Sequence, residues 1–194
     1  MMSAKKKSMP HKKIARKGAK KDADLLTLAT TLKGDPVQVL ARAASLTADE
    51  TEMLLRAAPM HDVGKIGIPD RILCKPGKLT PDEWEVMKTH AEIGADLLSG
   101  SRSPLIQMAQ SIAWTHHEKW NGAGYPRGLR SEEIPLTGRI VAVCDVFDAL
   151  TSVRPYKAAW SLEDAVAELH RGAGAHFDPK LVSLFCDQMP EIMR

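Results

Sequence analysis

The sequence predicts an all-α domain. Apolar residues recur at helical spacing along most of the chain, and start and stop signals bracket each such run. No stretch sustains the alternation expected of a strand. At 194 residues, with 44% hydrophobic and 26% charged residues, the chain suits one domain with its own core.

The elements follow in chain order. "DADLLTLATTL" has the pattern of a short helix, and Gly34, Asp35 and Pro36 interrupt it before "VQVLARAASL" resumes. Thr47 and Glu50 form a capping box ahead of "ADETEMLLRAAPMHDV". Thr80, Pro81 and Glu83 open a helix through "DEWEVMKTHAEIGADLL", with Trp84, Met87, Ala91 and Leu98 near one apolar face and Gly100 ending it. Ser103 and Pro104 begin the next, "LIQMAQSIAWTHHEKW". "NGAGYPRGLRSEEIP" is a loop by its glycines and prolines. Thr137 caps "GRIVAVCDVFDALTS", Ser161 with Asp164 starts another helix stopped by Gly172 and Gly174, and Asp178 with Pro179 starts "KLVSLFCDQM".

Charge is unevenly distributed. Residues 1–21 hold nine Lys or Arg and no acid, which leaves eighteen basic against twenty-four acidic residues in 22–194. The arm reads as a solvated, disordered tail in preference to a nucleic-acid-binding arm. No apolar run approaches the roughly 20 residues of a membrane-spanning helix. Cys74, Cys144 and Cys186 lack metal-binding spacing, and an odd number of thiols fits a reducing, cytoplasmic setting.

The chemistry concentrates in His61, Asp62, His90, His116, His117 and Asp145. Each has an ordinary reading. His61 and Asp62 could pair at a helix end, His90 could be a satisfied core histidine, and His116 and His117 could be polar positions between Trp114 and Trp120. Asp145 resists such a reading, because it interrupts the apolar run "IVAVCDVF", where a carboxylate is costly unless paired or metal-bound. One shared site accounts for all six. Nitrogen and oxygen donors without thiolate suit iron, manganese or zinc. Sequential ligands on a helix diverge by about 100°, which suits two ions ~3.5–4 Å apart, bridged by a carboxylate such as Asp62 and able to activate a water for attack on phosphorus. Lys65, Arg154 and Lys157 supply cations suited to phosphate, and the loop "GAGYP" offers the Tyr125 ring for stacking on a base. Glu118 and Asp148 are candidates to orient the histidines from behind.

"HDVGKIGIPDRILCKPGKLT", "HHEKWNGAGYP" and "VCDVFDALTSVRPYK" resemble the HD-GYP family of the HD phosphohydrolase superfamily, over about Ala44 to Phe185. The resemblance implies a helical bundle that hydrolyses cyclic di-GMP to linear pGpG or GMP. It implies His61, Asp62, His90, His116, His117 and Asp145 as metal ligands. It further implies phosphate contacts from Lys65, Arg154 and Lys157, and Gly124, Tyr125 and Pro126 as the signature loop. Two divalent ions, iron or manganese, are the expected cofactors.

The chain departs from the pattern at its start. Some family members recruit a third metal through a Glu and a His on the first helix, where Leu25 and Ala29 stand in this chain. A domain over residues 22–194 with a shortened or degenerate first helix, a two-ion site and pGpG as the main product are therefore expected. The alternative is a catalytically impaired module serving as a cyclic di-GMP receptor or protein-interaction domain, with regulation through protein partners.

Overall fold

The computed structural model describes residues 34–153 and 158–193. The basic arm, its boundary with the domain, the "DADLLTLATTL" segment with Leu25 and Ala29, and Arg154 and Lys157 lie outside the described residues. The described residues are helical and contain no strand, only an isolated bridge between Ala173 and Phe177. The all-α expectation holds.

Gly34-Asp35-Pro36 starts a helix: the Asp35 carboxylate accepts from the Val37 and Gln38 amides and caps α1 (Pro36–Ala43). The capping boxes form as expected. Thr47 and Glu50 cap α2 (Ala48–Ala57), and Thr80 and Glu83 cap α4 (Pro81–Lys88), which follows the short α3 (Asp70–Leu73). The expected single helix from residue 82 to 98 is instead two. Thr89 folds back, its amide and hydroxyl both donating to the Val86 carbonyl, and α5 (His90–Leu97) begins anew. The helix from Pro104 stops at Thr115, so α6 (Pro104–Thr115) releases His116 and His117 into the following turn.

The centre of the bundle is α7 (Leu136–Thr151), which buries Ile140, Val141, Val143, Cys144, Phe147 and Leu150. α8 (Leu162–Gly172), α9 (Pro179–Asp187) and the short α10 (Met189–Ile192) close the far side, where Phe147 meets Phe185 edge-on at 5.0 Å between ring centres. Ser161 caps α8 through the Asp164 amide, as its sequence signal requires. Asp178 caps α9 and also accepts from Arg139 at 2.7 Å, tying α9 to α7.

One backbone contact positions the site. A 3-10 turn, Val63–Gly67, lies directly against α5, and a Cβ on Gly64 would come within 1.9 Å of the His90 carbonyl oxygen and 2.4 Å of the Gly94 amide nitrogen. Both opposing atoms are backbone and cannot move aside. Gly64→Ala should therefore push this turn off α5, at a cost of about 3 kcal/mol. Denaturant titration checks the loss of stability, and the variant should also bind less metal because Asp62 and His90 separate.

The C-terminal turn makes a second prediction. The Trp120 and Asn121 amides donate to the His176 and Ala175 carbonyls, both at 3.0 Å, and the His176 ring stacks on Phe177. Burial, followed by the charge of Lys119, pushes the His176 pKa down to about 4. Between the unfolded-chain value of about 6.5 and this folded value, the unfolded chain binds a proton that the folded chain refuses. Stability contributed at neutral pH should thus fall as pH drops through that window. The loss should reach on the order of 1–2 kcal/mol after discounting for partial exposure. Unfolding titrations at several pH values should show a shallower slope for His176→Asn than for the native chain.

Candidate metal centre

Four stretches of chain meet at one end of the bundle. His61 and Asp62 follow the 3-10 turn Ala58–Met60, His90 opens α5, His116 and His117 follow α6, and Asp145 lies within α7. The expected divergence of His61 and Asp62 does not occur. The helix ends before them, Asp62 adopts φ −99° and ψ 8°, and the His61 Nε2 stands 3.3 Å from Asp62 Oδ2.

Three of the imidazoles are fixed in the same way. The Nδ1 of His61 faces the Ala58 carbonyl at 2.8 Å, that of His90 faces the Met87 carbonyl at 2.7 Å, and that of His116 faces Ala113 and Ile112 at 3.0 and 3.1 Å. A carbonyl oxygen only accepts, so each Nδ1 carries the proton and each Nε2 is left to act as a ligand. Each orienting partner is thus a carbonyl of the turn that ends the preceding helix. The breaks at Met60, Thr89 and Thr115, which interrupt the helical pattern, are what make this possible.

The Nε2 atoms converge on Asp62. Oδ1 lies 3.3 Å from His90 Nε2 and 3.7 Å from His116 Nε2, and those two nitrogens are 3.4 Å apart. Asp62 Oδ1 is nevertheless buried without a well-formed hydrogen bond. With His117 included, the donor atoms of Asp62, His90, His116 and His117 all lie within 4.8 Å of one another. On the other side of the same carboxylate, Oδ2 faces His61 and is bonded by the Lys65 ammonium, and His61 Nε2 lies 3.7 Å from Asp145 Oδ1. A cavity of about 250 Å³ opens beside His61 and Asp145, lined also by Asp35, Val37, Leu55 and Cys144.

The electrostatics suit cation binding. Burial tends to raise the Asp62 pKa, but the close approach of His116, His61 and Lys65 outweighs it and holds the carboxyl far below the usual range. Burial pushes His90 down, and burial with the neighbouring His116 and His90 pushes His117 down to about 2. Both rings stay neutral, as metal coordination requires. His61 is raised, because the Asp62 hydrogen bond and the Ala58 carbonyl outweigh its burial. Imidazole Nε2 atoms aimed at a buried carboxylate oxygen that has no well-formed hydrogen bond are a donor set that fits a divalent cation.

The remaining expected site residues divide. In the signature loop the Tyr125 amide donates to the His117 carbonyl, and its ring stacks on His117 at 4.8 Å and 28° ahead of a cis peptide to Pro126. A Cβ on Gly124 would lie 2.3 Å from the Lys119 amide nitrogen, so only glycine lets the loop return this closely. Glu118 does not orient a histidine. It is 2% exposed, and its two oxygens accept from the Arg127 and Leu129 amides at 2.8 and 3.0 Å, pinning the loop from beneath. Asp148 is exposed and accepts from the Ser152 hydroxyl, and it lines the cavity beside His61 and Asp145. Trp84 is 46% exposed and meets the edge of Tyr125, with Lys88 one turn further on. Neither contact with Tyr125 was legible, since both residues sit on what reads as an ordinary amphipathic helix; their spacing of four shows only that they share a face.

The HD domain family model matches residues 14–181. The chain belongs to the HD domain family. Among curated relatives, it is 55% identical over 136 residues to a cyclic di-GMP phosphodiesterase of Thermotoga maritima, covering 70% of this chain and 37% of the relative. It is 54% identical over 144 residues to the cyclic di-GMP phosphodiesterase response regulator RpfG of Xanthomonas campestris, covering 74% and 38%. It is 48% identical over 154 residues to the 3'3'-cGAMP-specific phosphodiesterase 2 of Vibrio cholerae, covering 79% and 30%. The chain thus spans about a third of the length of these relatives. Two solved structures share the HD fold. A cyclic GMP-AMP-specific phosphodiesterase of V. cholerae aligns with a TM-score of 0.59 at 22% identity, over 87% of this chain and 47% of the other. An HD-GYP-type protein of Bdellovibrio bacteriovorus aligns with a TM-score of 0.62 at 20% identity, over 80% and 51%. No described helix is long and apolar enough to cross a membrane.

Proposed function

We propose that this HD domain is a metal-dependent phosphodiesterase that hydrolyses cyclic di-GMP, mainly to linear pGpG. The observation that carries this reading is the division of the Asp62 carboxylate, one oxygen toward His90 and His116, the other toward His61 and Lys65. Asp62 Oδ1 with His90, His116 and His117 would hold one divalent ion, and Asp62 Oδ2 with His61 and Asp145 a second. We take iron or manganese as the ions, both of which suit these donors. Bound there, the ions would supply a water acidified to hydroxide and positive charge beside the phosphoryl oxygens.

The protein's own contribution is orientation. The carbonyls of Ala58, Met87, Ala113 and Ile112 lock three imidazoles in the ligating tautomer. Lys65 would stabilise charge on a phosphoryl oxygen as the water oxygen bonds to phosphorus and the bond to the ribose oxygen breaks. The proton given up by the water passes to the solvent, and one from the solvent completes the ribose hydroxyl. We assign Arg154 and Lys157 to the flanking phosphate, and Gly124, Tyr125 and Pro126 to the wall of the substrate cleft. Leu25 and Ala29 offer no third set of ligands, which supports a stop at pGpG.

Incubating the purified chain with cyclic di-GMP and ferrous iron or manganese, followed by chromatography, tests the proposal. Accumulation of pGpG is expected. Intact cyclic di-GMP that nevertheless stays bound would overturn it in favour of a receptor. A second substrate is favoured by one finding, the 48% identity to a relative named as specific for 3'3'-cGAMP, and that dinucleotide belongs in the same assay.

A further inference from the structure

Trp84 and Lys88 stand four residues apart on α4, a helix without a single fully buried residue. The Trp84 ring centre lies 6.2 Å from that of Tyr125 with the planes at 85°, so the two rings form a right-angled corner. Tyr125 in turn stacks on His117 and lies 6.4 Å from the His90 ring, which sets the corner beside the histidine cluster. Lys88 Nζ lies 5.8 Å from the centre of the Tyr125 ring, held at the rim by the exposed carboxylate of Glu85 at 2.7 Å.

Trp84 is 46% exposed, so part of its ring is free to meet a ligand. Two aromatic rings and a cation at the edge of a phosphate-handling site match a flat base attached to that phosphate. The cation also discriminates. An ammonium only donates, guanine presents two adjacent acceptors, O6 and N7, and adenine sets an N6 donor beside N7. We infer that Trp84, Tyr125 and Lys88 form a purine subsite that seats a guanine base of the cyclic dinucleotide, with Lys88 selecting guanine over adenine. This rests on the hydrolase reading above and extends it by naming the base and the residues that choose it.

Steady-state hydrolysis of cyclic di-GMP by the manganese-loaded chain, with cyclic di-AMP as competing inhibitor, tests the inference. Trp84→Ala should raise KM for cyclic di-GMP about tenfold while kcat falls less than about threefold, and Trp84→Phe should recover most of the loss. Lys88→Met should narrow the preference, read as the inhibition constant for cyclic di-AMP over KM for cyclic di-GMP, by about tenfold. A KM within about twofold of native in Trp84→Ala, or an unchanged preference in Lys88→Met, would overturn the subsite. So would a loss that Trp84→Phe shares in full alongside a lowered melting temperature, since that marks a structural role. A native chain that leaves cyclic di-GMP intact removes the hydrolase and this inference together; native turnover with unaffected variants removes the inference alone.

Discussion

Replacing Asp62 with alanine should remove bound metal and lower turnover of cyclic di-GMP by about 1,000-fold or more, well beyond the roughly 10- to 100-fold typical of losing a group outside the ligand set. The reason is geometric: one carboxylate faces His90 and His116 with one oxygen and His61 with the other, so its removal empties both halves of the cluster. Lys65 also loses its partner. The fold should survive, because the helices that carry the histidines are held by the α6–α7 core, not by Asp62. Asp62→Asn, which keeps the shape and discards the charge, separates the two effects. It should melt close to the native temperature and still fail to hold metal. Metal analysis and a thermal scan on the same preparations check this; retained metal in either variant would contradict the assignment of Asp62.

Glu118→Ala should destabilise the domain by about 3 kcal/mol, lowering the melting temperature by about 6–12 °C. Burial pushes the Glu118 pKa up, and the amides of Arg127, Leu129 and Gly128 oppose that shift by bonding the carboxylate. Truncation leaves amides without acceptors inside the loop. Because that loop also carries Tyr125 onto His117, substrate affinity should fall along with stability. Turnover measured well below the melting temperature should therefore show a raised KM for Glu118→Ala. A native KM would mean that the loop keeps its place without its anchor.

Much of the helical architecture was legible because its signals are local. Thr47 with Glu50, Thr80 with Glu83, Ser161 with Asp164, and Asp178 with Pro179 each satisfy amides within a few residues, and each forms as its sequence pattern requires. The break at Thr89 was not legible. Neither Thr89 nor His90 is a helix breaker, and the close approach of Gly64 to the α5 backbone beside the break comes from a segment more than twenty residues away in sequence. The end of α2 at Ala57 did have a local signal, Pro59, and the 3-10 turn Ala58–Met60 that follows brings Asp62 to His61 instead of away from it. The convergence of the histidines on Asp62 followed from residue type and resemblance. The Nδ1 partners did not, because backbone carbonyls are freed only where helices end. Glu118 pins the loop where a histidine partner was expected, because helical periodicity gives a face but only tertiary packing says whether loop, core or solvent meets it.

The most direct test of a shared metal centre is the number of ions bound per chain in protein purified without chelator, counted by elemental analysis. Two iron or manganese ions per chain are predicted, both lost on chelation together with the turnover of cyclic di-GMP. A chain that carries none, yet hydrolyses the dinucleotide unchanged in the presence of chelator, would contradict the account.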